Sequence, residues 1–246
     1  MTDKTFILGV GCQKGGTTWL HSQLIKNPAV NMGFTKEYHV FDALYLDAGG
    51  QISSKLNTLN KLIENDKLMS QNKNLLKYID FYRDINNYFD YFDYLFCKSN
   101  STKIVGDITP SYSGLNSDVL EHIKDQLQNR GFKIKVIFLM RDPVERAWSQ
   151  VRMIRKHQLK KNPKFVFKLS EQDEVLFKYK SKGFQSRARY ENTINNIESV
   201  FDSSNIFYGF YESLFTLESM RRLGDFLGLS DFSVNFNEKV GASPKA

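Results

Sequence analysis

Two short segments of the 246-residue chain carry residue types that bind phosphate groups. The first segment, Gly11 to Thr18, contains a glycine pair, a lysine and two threonines, and it follows an apolar run. The second segment, Arg141 to Ser149, contains two arginines and a serine, and it also follows an apolar run. Anions bind at helix N-termini, where backbone N–H groups and the helix dipole converge, and arginine binds phosphate through charge-assisted hydrogen bonds. The sequence therefore predicts two anion sites.

The first segment differs from both of the common nucleotide-binding loops. A P-loop has the pattern GxxxxGK[ST], and Thr17 stands where its lysine belongs, because Lys14 precedes the glycine pair. A dinucleotide-binding turn has the pattern GxGxxG, and Lys14 stands at its third glycine. The order Gln-Lys-Gly-Gly-Thr-Thr-Trp-Leu resembles instead the 5′-phosphosulfate loop of the sulfotransferases that use 3′-phosphoadenosine 5′-phosphosulfate (PAPS), whose pattern is Lys-x-Gly-Thr-Thr-x-Leu.

The second segment supplies an independent resemblance to the same family. It reads Arg-Asp-Pro-Val-Glu-Arg-Ala-Trp-Ser and resembles the family's 3′-phosphate motif, Arg-Asp-Pro-x-x-Arg-x-x-Ser, at every defined position. Pro143 suits the first turn of a helix, which then carries the serine two turns along. The resemblance implies that Arg141 and Ser149 bind the 3′-phosphate, and we expect Arg146 to make a structural ion pair.

The resemblance also implies roles in binding the nucleotide. PAPS would be the co-substrate, 3′-phosphoadenosine 5′-phosphate (PAP) the product, and no metal would be required, because Lys14 can neutralise the leaving oxygen. Trp19 either stacks near the adenine or packs in the core, and Tyr190, in a family-like segment over 186–190, would touch the nucleotide. The predicted nucleotide-binding residues are Lys14, Gly15, Gly16, Thr17, Thr18, Trp19, Arg141, Ser149 and Tyr190.

A carboxylate lies between the two segments in a third family-like pattern. Residues 36–42, Lys-Glu-Tyr-His-Val-Phe-Asp, resemble the Lys-Glu-x-His-Phe-Phe segment of carbohydrate-type sulfotransferases, notably the heparan sulfate O-sulfotransferases. The resemblance makes Glu37 the general base that takes the proton of an acceptor hydroxyl. His39 is then an alternative base, or it orients Glu37 or the acceptor. Asp42 matches the pattern too, although a solvated carboxylate in a turn explains it equally well.

Two further segments resemble the family more loosely. Residues 106–112, Gly-Asp-Ile-Thr-Pro-Ser-Tyr, are similar to the family's Gly-Glu-x-Thr-Pro-x-Tyr element, with Asp107 replacing the glutamate. This element either contacts the acceptor or forms only a rigid turn at Pro110. Residues 211–214, Tyr-Glu-Ser-Leu, resemble a later family segment in which we expect Glu212 to be structural.

Composition limits the class of protein. The chain has 41% hydrophobic and 25% charged residues, which is typical of a soluble globular domain, and no apolar run approaches the ~20 residues of a membrane span. Its two cysteines, Cys12 and Cys97, exclude a disulfide scaffold and argue against a cysteine-based zinc site. The first apolar run is too short for a signal peptide, so we predict a cytoplasmic protein. An excess of 34 Lys and Arg over 27 Asp and Glu, a formal charge of +7, suggests an anionic partner.

The elements needed to position these residues can be predicted from hydrophobic patterns. Strands and helices alternate along the chain, which predicts one α/β domain over 1–246, with a central parallel sheet flanked by helices in the P-loop-like fold of sulfotransferases. The predicted strands cover 6–10, 30–32, 103–107, 133–140 and 206–210, and the predicted helices cover 17–25, 118–129, 144–159, 190–201 and 217–227.

The part of the chain between the first helix and residue 103 resembles the family least. A helix-like stretch from about Asp47 to Phe96, within a predicted acceptor-side insertion over 43–102, is rich in aromatic residues in its second half. These aromatics either pack on the core or form a wall of an acceptor pocket. Family members usually continue past a segment like residues 239–246, so we expect a C-terminal piece to be missing.

The motifs together predict a sulfotransferase that moves a sulfuryl group from PAPS to a hydroxyl of a sugar or another small metabolite. The alternatives are a P-loop-like NTPase or kinase, for which the lysine after the last glycine is absent, and a non-catalytic nucleotide-binding protein, against which the Lys14, Glu37 and Arg141 set argues. We expect no nucleic acid partner. Six basic residues between 152 and 164 are a solvated helix face, or they guide an anionic acceptor or nucleotide; they are Arg152, Arg155, Lys156, Lys160, Lys161 and Lys164.

Overall fold

The computed structural model of the chain describes residues 4–46, 50–64, 72–185, 187–229, 232–238 and 240. Each of the five predicted strands is present. They are Thr5–Gly11 (β1), Val30–Asn31 (β2), Ile104–Ile108 (β3), Lys133–Met140 (β4) and Ile206–Phe210 (β5). Residues 239 and 241–246, on which the expectation about the C-terminus rests, lie outside the described residues, as does Ser186.

The five strands form one sheet in the order β2-β3-β1-β4-β5, and every neighbouring pair is parallel. In the register of the central strand β1, Thr5 lies opposite Ile104 of β3 and Lys133 of β4. The predicted parallel sheet is confirmed. Because parallel strands end at the same edge of a sheet, the segments that follow β1, β3 and β4 lie close together.

Helices connect the strands and cover both faces of the sheet. They are Thr17–Leu24 (α1), Phe41–Tyr45 (α2), Gln51–Glu64 (α3), Lys73–Arg83 (α4), Asn86–Cys97 (α5), Ser117–Asn129 (α6), Pro143–Lys161 (α7), Glu171–Tyr179 (α8), Lys182–Gln185 (α9), Tyr190–Glu198 (α10), Tyr211–Leu214 (α11) and Leu217–Leu227 (α12). Side-chain caps begin several of them, since Asp142 accepts hydrogen bonds from two N–H groups of α7 and Asn116 accepts one from α6. The helix predicted over 190–201 ends earlier, at Glu198.

Successive side chains of β1 point to opposite faces of the sheet, and each face has its own hydrophobic core. Phe6, Leu8 and Val10 belong to the cluster under α5, α6 and α10, whereas Ile7 belongs to the cluster under α1 and α12. The first cluster takes most of the aromatic residues of the 43–102 region; Tyr88, for example, is fully buried on α5. Core packing therefore explains most of these aromatics. The described part of the region is mainly helical, as predicted, although residues 47–49 and 65–71 are not described.

None of the helices in the described ranges has the length and apolar character required to cross a bilayer.

Candidate active site

The glycine-rich turn (residues 11–18) joins β1 to α1 and packs against the end of β4. Cys12 donates its backbone N–H to the carbonyl of Leu139, and Gly15 donates its own to the carbonyl of Cys12 at 3.0 Å. A Cβ on Gly15 would lie 2.9 Å from the Leu139 oxygen, and one on Gly16, whose φ is 93°, would lie 2.6 Å from Leu214. Packing against protein, in addition to the predicted approach of a ligand, therefore requires both glycines.

Lys14 lies in this turn among other cations. Burial lowers the pKa of its ammonium, and the positive charges of Arg141, Lys36 and Lys156 lower that pKa further, while Glu37 raises it. Within the described ranges, no hydrogen-bond or ion-pair partner contacts the Lys14 ammonium. A cluster of cations this close is stabilised by an anion, so the site is suited to a phosphate or sulfate group.

Arg141 connects the two predicted anion segments directly. Its Nη1 donates to the Lys14 carbonyl at 3.3 Å, and its guanidinium lies over the ring of Tyr211 with the two centres 4.1 Å apart. Glu145, at 3.4 Å from Nη2, is its exposed ion-pair partner. The Glu212 carboxylate accepts the N–H of residue 142 at 2.9 Å, which agrees with the structural role expected for it.

The other residues of the 3′-phosphate motif lie inside the protein along α7. Ser149 is 8% exposed and Arg146 is fully buried. Arg146 donates to Gln150 Oε1 at 2.8 Å and to the Phe184 carbonyl at 3.3 Å, and burial lowers its pKa. In the part of the chain that the structure describes, no carboxylate lies within ion-pair distance of this guanidinium. The predicted ion pair is therefore wrong: neutral oxygens and the Phe184 ring, 5.5 Å away, surround the charge.

Two predicted nucleotide contacts have different surroundings. Trp19 is only 3% exposed and packs edge-to-face on Phe215, with ring centres 4.9 Å apart, which supports core packing over stacking on adenine. Tyr190 donates its hydroxyl to the Arg141 carbonyl at 2.8 Å, so it lies at the end of β4 beside the predicted phosphate site. Of the two threonines in the turn, Thr17 is buried and Thr18 is exposed.

Three side chains of the Glu37 loop (residues 35–42) form a hydrogen-bonded chain. His39 Nδ1 lies 2.7 Å from Asp42 Oδ2, and His39 Nε2 lies 3.1 Å from Glu37 Oε2. Lys36 makes an ion pair with the other oxygen of Glu37. The Asp42 side chain is 2% exposed, so the interpretation of Asp42 as a solvated carboxylate is wrong. Its hydrogen bond fixes the imidazole ring in front of Glu37.

The charges in this chain of residues stabilise one another. Burial alone would raise the pKa of Glu37, but the hydrogen bond from His39 and the charge of Lys36 lower it to about 2. Burial alone would lower the pKa of His39, but its hydrogen bonds with Asp42 and Glu37 raise it to about 9. At neutral pH a protonated imidazole therefore lies between two carboxylates. A protonated imidazole cannot accept a proton, which favours the orienting role for His39 over the role of base.

Residues far away in sequence hold the backbone of the Glu37 loop. On one side, Thr109 Oγ1 accepts the N–H of Tyr38 at 2.9 Å. On the other side, two α4 tyrosines donate to loop carbonyls, Tyr78 to that of Glu37 and Tyr82 to that of His39, each at 3.3 Å. The part of the aromatic-rich segment that reaches the site therefore supports the loop.

Asp107, in the Gly-Asp-Ile-Thr-Pro-Ser-Tyr element, is fully buried below the loop. Its carboxylate oxygens accept hydrogen bonds from neighbouring hydroxyls, among them that of Thr109 at 2.6 Å. Burial raises the pKa of Asp107, and these hydrogen bonds lower it, with a result of about 6. This position favours the rigid turn over the acceptor contact for Asp107, because a fully buried carboxylate has no surface to offer a ligand.

Arg187 is a cation of this site that the motifs did not indicate. Its Nη1 donates to Gln13 Oε1 of the glycine-rich turn at 3.4 Å. Burial lowers the pKa of its guanidinium, and the charge of Asp42 raises it, so Arg187 is close to both the turn and the Glu37 loop. The one available signal was its position three residues before Tyr190, inside the segment that resembles the family.

The basic segment over 152–164 is partly neutralised by α8. Arg152 lies 3.4 Å from Glu171, and Arg155 lies 3.2 Å from Glu174. These acids belong to a helix that the sequence patterns did not indicate. The lysines of the segment are exposed, and Lys156 is close enough to Lys14 to affect its pKa.

An open depression of about 410 Å³ lies beside Lys36, between α1 and the start of the Glu37 loop. Burial and the Lys36 charge lower the pKa of His21, on its wall, to about 4, so this imidazole is neutral at pH 7. The lining residues are His21, Ile25, Val30, Asn31, Met32, Gly33, Phe34, Thr35 and Lys36. Among the described residues, no group of three or more His, Cys, Asp or Glu side chains is arranged to hold a metal ion.

Comparisons with known proteins give the fold and, separately, the family of the chain. Solved structures that share the fold include a sulfotransferase from Alicyclobacillus acidocaldarius (TM-score 0.61, 18% identity, 98% of this chain and 87% of that chain covered). The sulfotransferase domains of the curacin biosynthetic pathway (0.54, 15%, 100% and 81%) and of the Synechococcus PCC 7002 olefin synthase (0.51, 16%, 96% and 78%) share it as well. No curated protein sequence matched the chain. The profile of the sulfotransferase domain matches residues 3–239, nearly the full length, and the chain therefore belongs to the sulfotransferase domain family.

Proposed function

We propose that this sulfotransferase transfers the sulfuryl group of PAPS to a hydroxyl of a sugar or a similar small metabolite, with Glu37 as the general base. The main observation in support is that Lys14, Arg141 and Glu37 lie close together at one edge of the sheet. The Lys14 turn and Arg141 are in direct contact, and the charge of Glu37 acts on Lys14 from the neighbouring loop. A donor anion and an acceptor hydroxyl bound there would lie side by side.

The residues present fit a nucleotide with phosphates at both ends. Lys14 and the backbone N–H groups at the start of α1 suit the 5′-phosphosulfate, with Thr17 and Thr18 next to them. Arg141 and Ser149 suit the 3′-phosphate, and Tyr190 is fixed to the backbone of Arg141. Arg187, which contacts the turn through Gln13, would add positive charge where the sulfuryl group passes from donor to acceptor.

The reaction is an in-line displacement at sulfur. The acceptor oxygen forms a bond to sulfur while the bond from sulfur to the 5′-phosphate oxygen breaks, and its electron pair stays on PAP. Lys14 stabilises the charge that develops on this leaving oxygen. The hydroxyl proton passes to Glu37. As in phosphoryl transfer, positioning and charge stabilisation contribute most of the catalysis.

Glu37 needs a change of partner before it can act as a base. With a pKa of about 2 in its present contacts, it holds a proton poorly. An acceptor hydroxyl that takes the place of Lys36 at Glu37 Oε1 would remove one of the groups that lower this pKa. His39 and Asp42 would keep the other oxygen oriented. The freed Lys36 ammonium would then face the sulfuryl group.

The depression beside Lys36 is the proposed entrance of the acceptor. It opens next to the Glu37 loop, and its lining combines an aromatic ring, Phe34, with polar groups of Asn31, Thr35 and His21. Rings of sugars and other hydroxylated metabolites bind to surfaces that offer both an apolar face and hydrogen-bonding groups.

The test is a transfer assay with ³⁵S-labelled PAPS and a panel of monosaccharides, disaccharides and phenolic alcohols, with PAP release as a second readout. The wild-type protein should label at least one hydroxyl compound. Glu37→Gln, which keeps the shape of the side chain, should lower that rate about 100-fold or more. Lys133→Ala is the control, with an unchanged rate, because this exposed lysine lies at the start of β4, at the opposite end of the strand from the site. Transfer by Glu37→Gln at the wild-type rate would contradict the role of base, and absence of all transfer and PAP release would contradict the function.

A further inference from the structure

A buried carboxylate below the Glu37 loop collects the hydrogen bonds of three hydroxyl groups. Asp107 Oδ1 accepts from Thr109 Oγ1 at 2.6 Å. Asp107 Oδ2 accepts from the hydroxyl of Tyr112 at 2.7 Å and from that of Tyr88 at 3.0 Å. The N–H of Tyr38 lies 3.5 Å from Oδ1 as a fourth donor. Asp107 is fully buried, so these contacts satisfy the carboxylate without water.

Two of these hydroxyls also hold the backbone of the Glu37 loop. Thr109 Oγ1 accepts the N–H of Tyr38 at 2.9 Å and that of His39 at 3.4 Å. The hydroxyl of Tyr112 accepts the N–H of Val40 at 3.2 Å. Three successive N–H groups, beginning with the residue next to Glu37, are therefore bound to two side-chain oxygens.

The direction of each hydrogen bond is fixed by chemistry. A backbone N–H can only donate, so the two hydroxyl oxygens must accept from the loop and must send their own protons elsewhere. An ionised carboxylate only accepts hydrogen bonds, so Asp107 accepts one from the Thr109 hydroxyl and one from the Tyr112 hydroxyl. Asp107 thus turns the lone pairs of Thr109 and Tyr112 toward the loop, and a group that donated a proton at that position would turn one of them away.

We propose that Asp107 is a positioning residue, which holds Glu37 and His39 in reacting geometry through the hydroxyls of Thr109 and Tyr112. This inference rests on the proposed function, because it assigns the purpose of the network to the reaction at Glu37. A displacement of about 1 Å in a catalytic group can lower the rate about 100-fold. The gain in rate from a rigid loop therefore offsets the free-energy cost of burying the Asp107 charge.

Tyr88 provides a matched control within the network. Its hydroxyl donates to the same carboxylate oxygen as that of Tyr112, and both side chains are buried. Among the described contacts, however, the Tyr88 hydroxyl has none with the Glu37 loop. Tyr88→Phe and Tyr112→Phe therefore remove equivalent bonds to Asp107, but only Tyr112→Phe frees a loop N–H.

The first experiment compares kcat, KM for PAPS and PAP affinity in four variants. Thr109→Val removes the hydroxyl at constant shape and should lower kcat about 30-fold or more, with PAP affinity unchanged, whereas Thr109→Ser keeps the hydroxyl and should restore kcat. Tyr112→Phe should lower kcat, and Tyr88→Phe should leave it near that of wild type even if both lose stability. Equal kcat values for Tyr112→Phe and Tyr88→Phe, or a normal kcat for Thr109→Val, would overturn the proposal.

A second measurement needs no acceptor and separates this inference from the proposed function. The imidazole of His39 is titrated by NMR, with its signal assigned by its loss in His39→Gln. In Thr109→Val the pKa of His39 should fall by about 1 pH unit or more, because the loosened loop weakens the contacts with Asp42 and Glu37, and Thr109→Ser should keep the wild-type value. An unchanged His39 pKa in Thr109→Val overturns the positioning role. A lowered pKa in a protein without transfer supports that role and rejects the function.

Discussion

The two halves of the site are held by different kinds of contact. The glycine-rich turn is fixed by its own backbone and by glycines that pack on Leu139 and Leu214. The Glu37 loop is fixed by hydroxyl groups from the turn after β3, which accept its N–H groups, and from α4, which donate to its carbonyl groups. A phosphate-binding turn can use backbone because its ligand binds to backbone N–H groups. A carboxylate that must receive a proton needs a fixed orientation toward the hydroxyl that donates it, and side chains from distant parts of the sequence provide that orientation.

The difference predicts that changes in the glycine-rich turn and at Arg141 affect binding of the nucleotide, whereas changes in the Glu37 loop affect turnover. Lys14 is the exception, because its ammonium would act on the leaving oxygen. Substitutions in each half can therefore separate the two, or show that they act together.

Lys14→Ala should have the largest effect, a loss of about 100- to 1,000-fold in the rate of sulfuryl transfer, because a preorganised charge at the leaving oxygen is removed. The measurement is single-turnover release of PAP from PAPS. Lys133→Ala, which changes an exposed lysine at the start of β4, is the control and should behave like wild type. Normal release by Lys14→Ala would mean that the turn binds a nucleotide without taking part in the chemistry.

Arg141→Ala should weaken PAP binding about 10- to 100-fold, since a charged hydrogen bond to phosphate contributes about 1.5–3 kcal/mol. Adenosine 5′-phosphate, which lacks the 3′-phosphate, should lose much less affinity in the same calorimetric titration. Glu37→Gln should bind PAP as wild type does. If Arg141→Ala weakens both nucleotides equally, Arg141 supports the turn through the Lys14 carbonyl rather than the 3′-phosphate.

Gly15→Ala should lower the free energy of unfolding by about 1–3 kcal/mol, because the new methyl group would meet the backbone at Leu139. Chemical denaturation measures the change. Gly183→Ala is the matched control, since no atom of the described residues beyond its chain neighbours and its own helix would lie within 4 Å of the added Cβ. Stability equal to that of the control would show that the turn tolerates side chains and that its glycines serve the ligand alone.

His39 should make the free energy of unfolding depend on pH through the Glu37 loop. Its pKa rises from 6.5 to about 9 on folding, so its contribution is complete below pH 6.5 and is lost as the pH rises through about 9. Over that window the free energy of unfolding of the wild-type protein should fall by about 1–2 kcal/mol more than that of His39→Gln, as measured by denaturation at each pH. Parallel curves for the two proteins would contradict the ionic chain of Glu37, His39 and Asp42.

The same contrast explains what could be predicted from the sequence. The strand over 133–140 has its predicted bounds, because the apolar run from Val136 to Met140, preceded by alternating lysine and isoleucine, is typical of a strand that enters a buried parallel sheet. The turn before α1 and the Arg141 segment are local patterns, and their contact follows from strands that end at one sheet edge. Local sequence patterns thus predicted the glycine-rich turn and the Arg141 segment.

The pattern over 36–42 also indicated Glu37, His39 and Asp42, but no local pattern contains the contacts that hold their loop. The hydroxyls of Thr109 and Tyr78 are 71 and 41 positions from their partners in the Glu37 loop. The ion pair expected for Arg146 was wrong because burial placed it among neutral oxygens, which its motif does not encode. The α8 helix lacks a clear apolar stripe, since Val175 is its one buried residue. Tertiary packing alone brings Arg187 to the glycine-rich turn, where it contacts Gln13.

Binding of a 3′-phosphorylated nucleotide at this site is tested by thermal unfolding with PAP, compared with unfolding in ATP and Mg²⁺. PAP at 100 times its Kd should raise the free energy of unfolding by about 2.7 kcal/mol, without added metal, since a ligand that binds only the folded state stabilises it by mass action. Arg141→Ala should need a higher PAP concentration for the same shift. Stabilisation by ATP and Mg²⁺ with none by PAP would contradict the proposed use of PAPS.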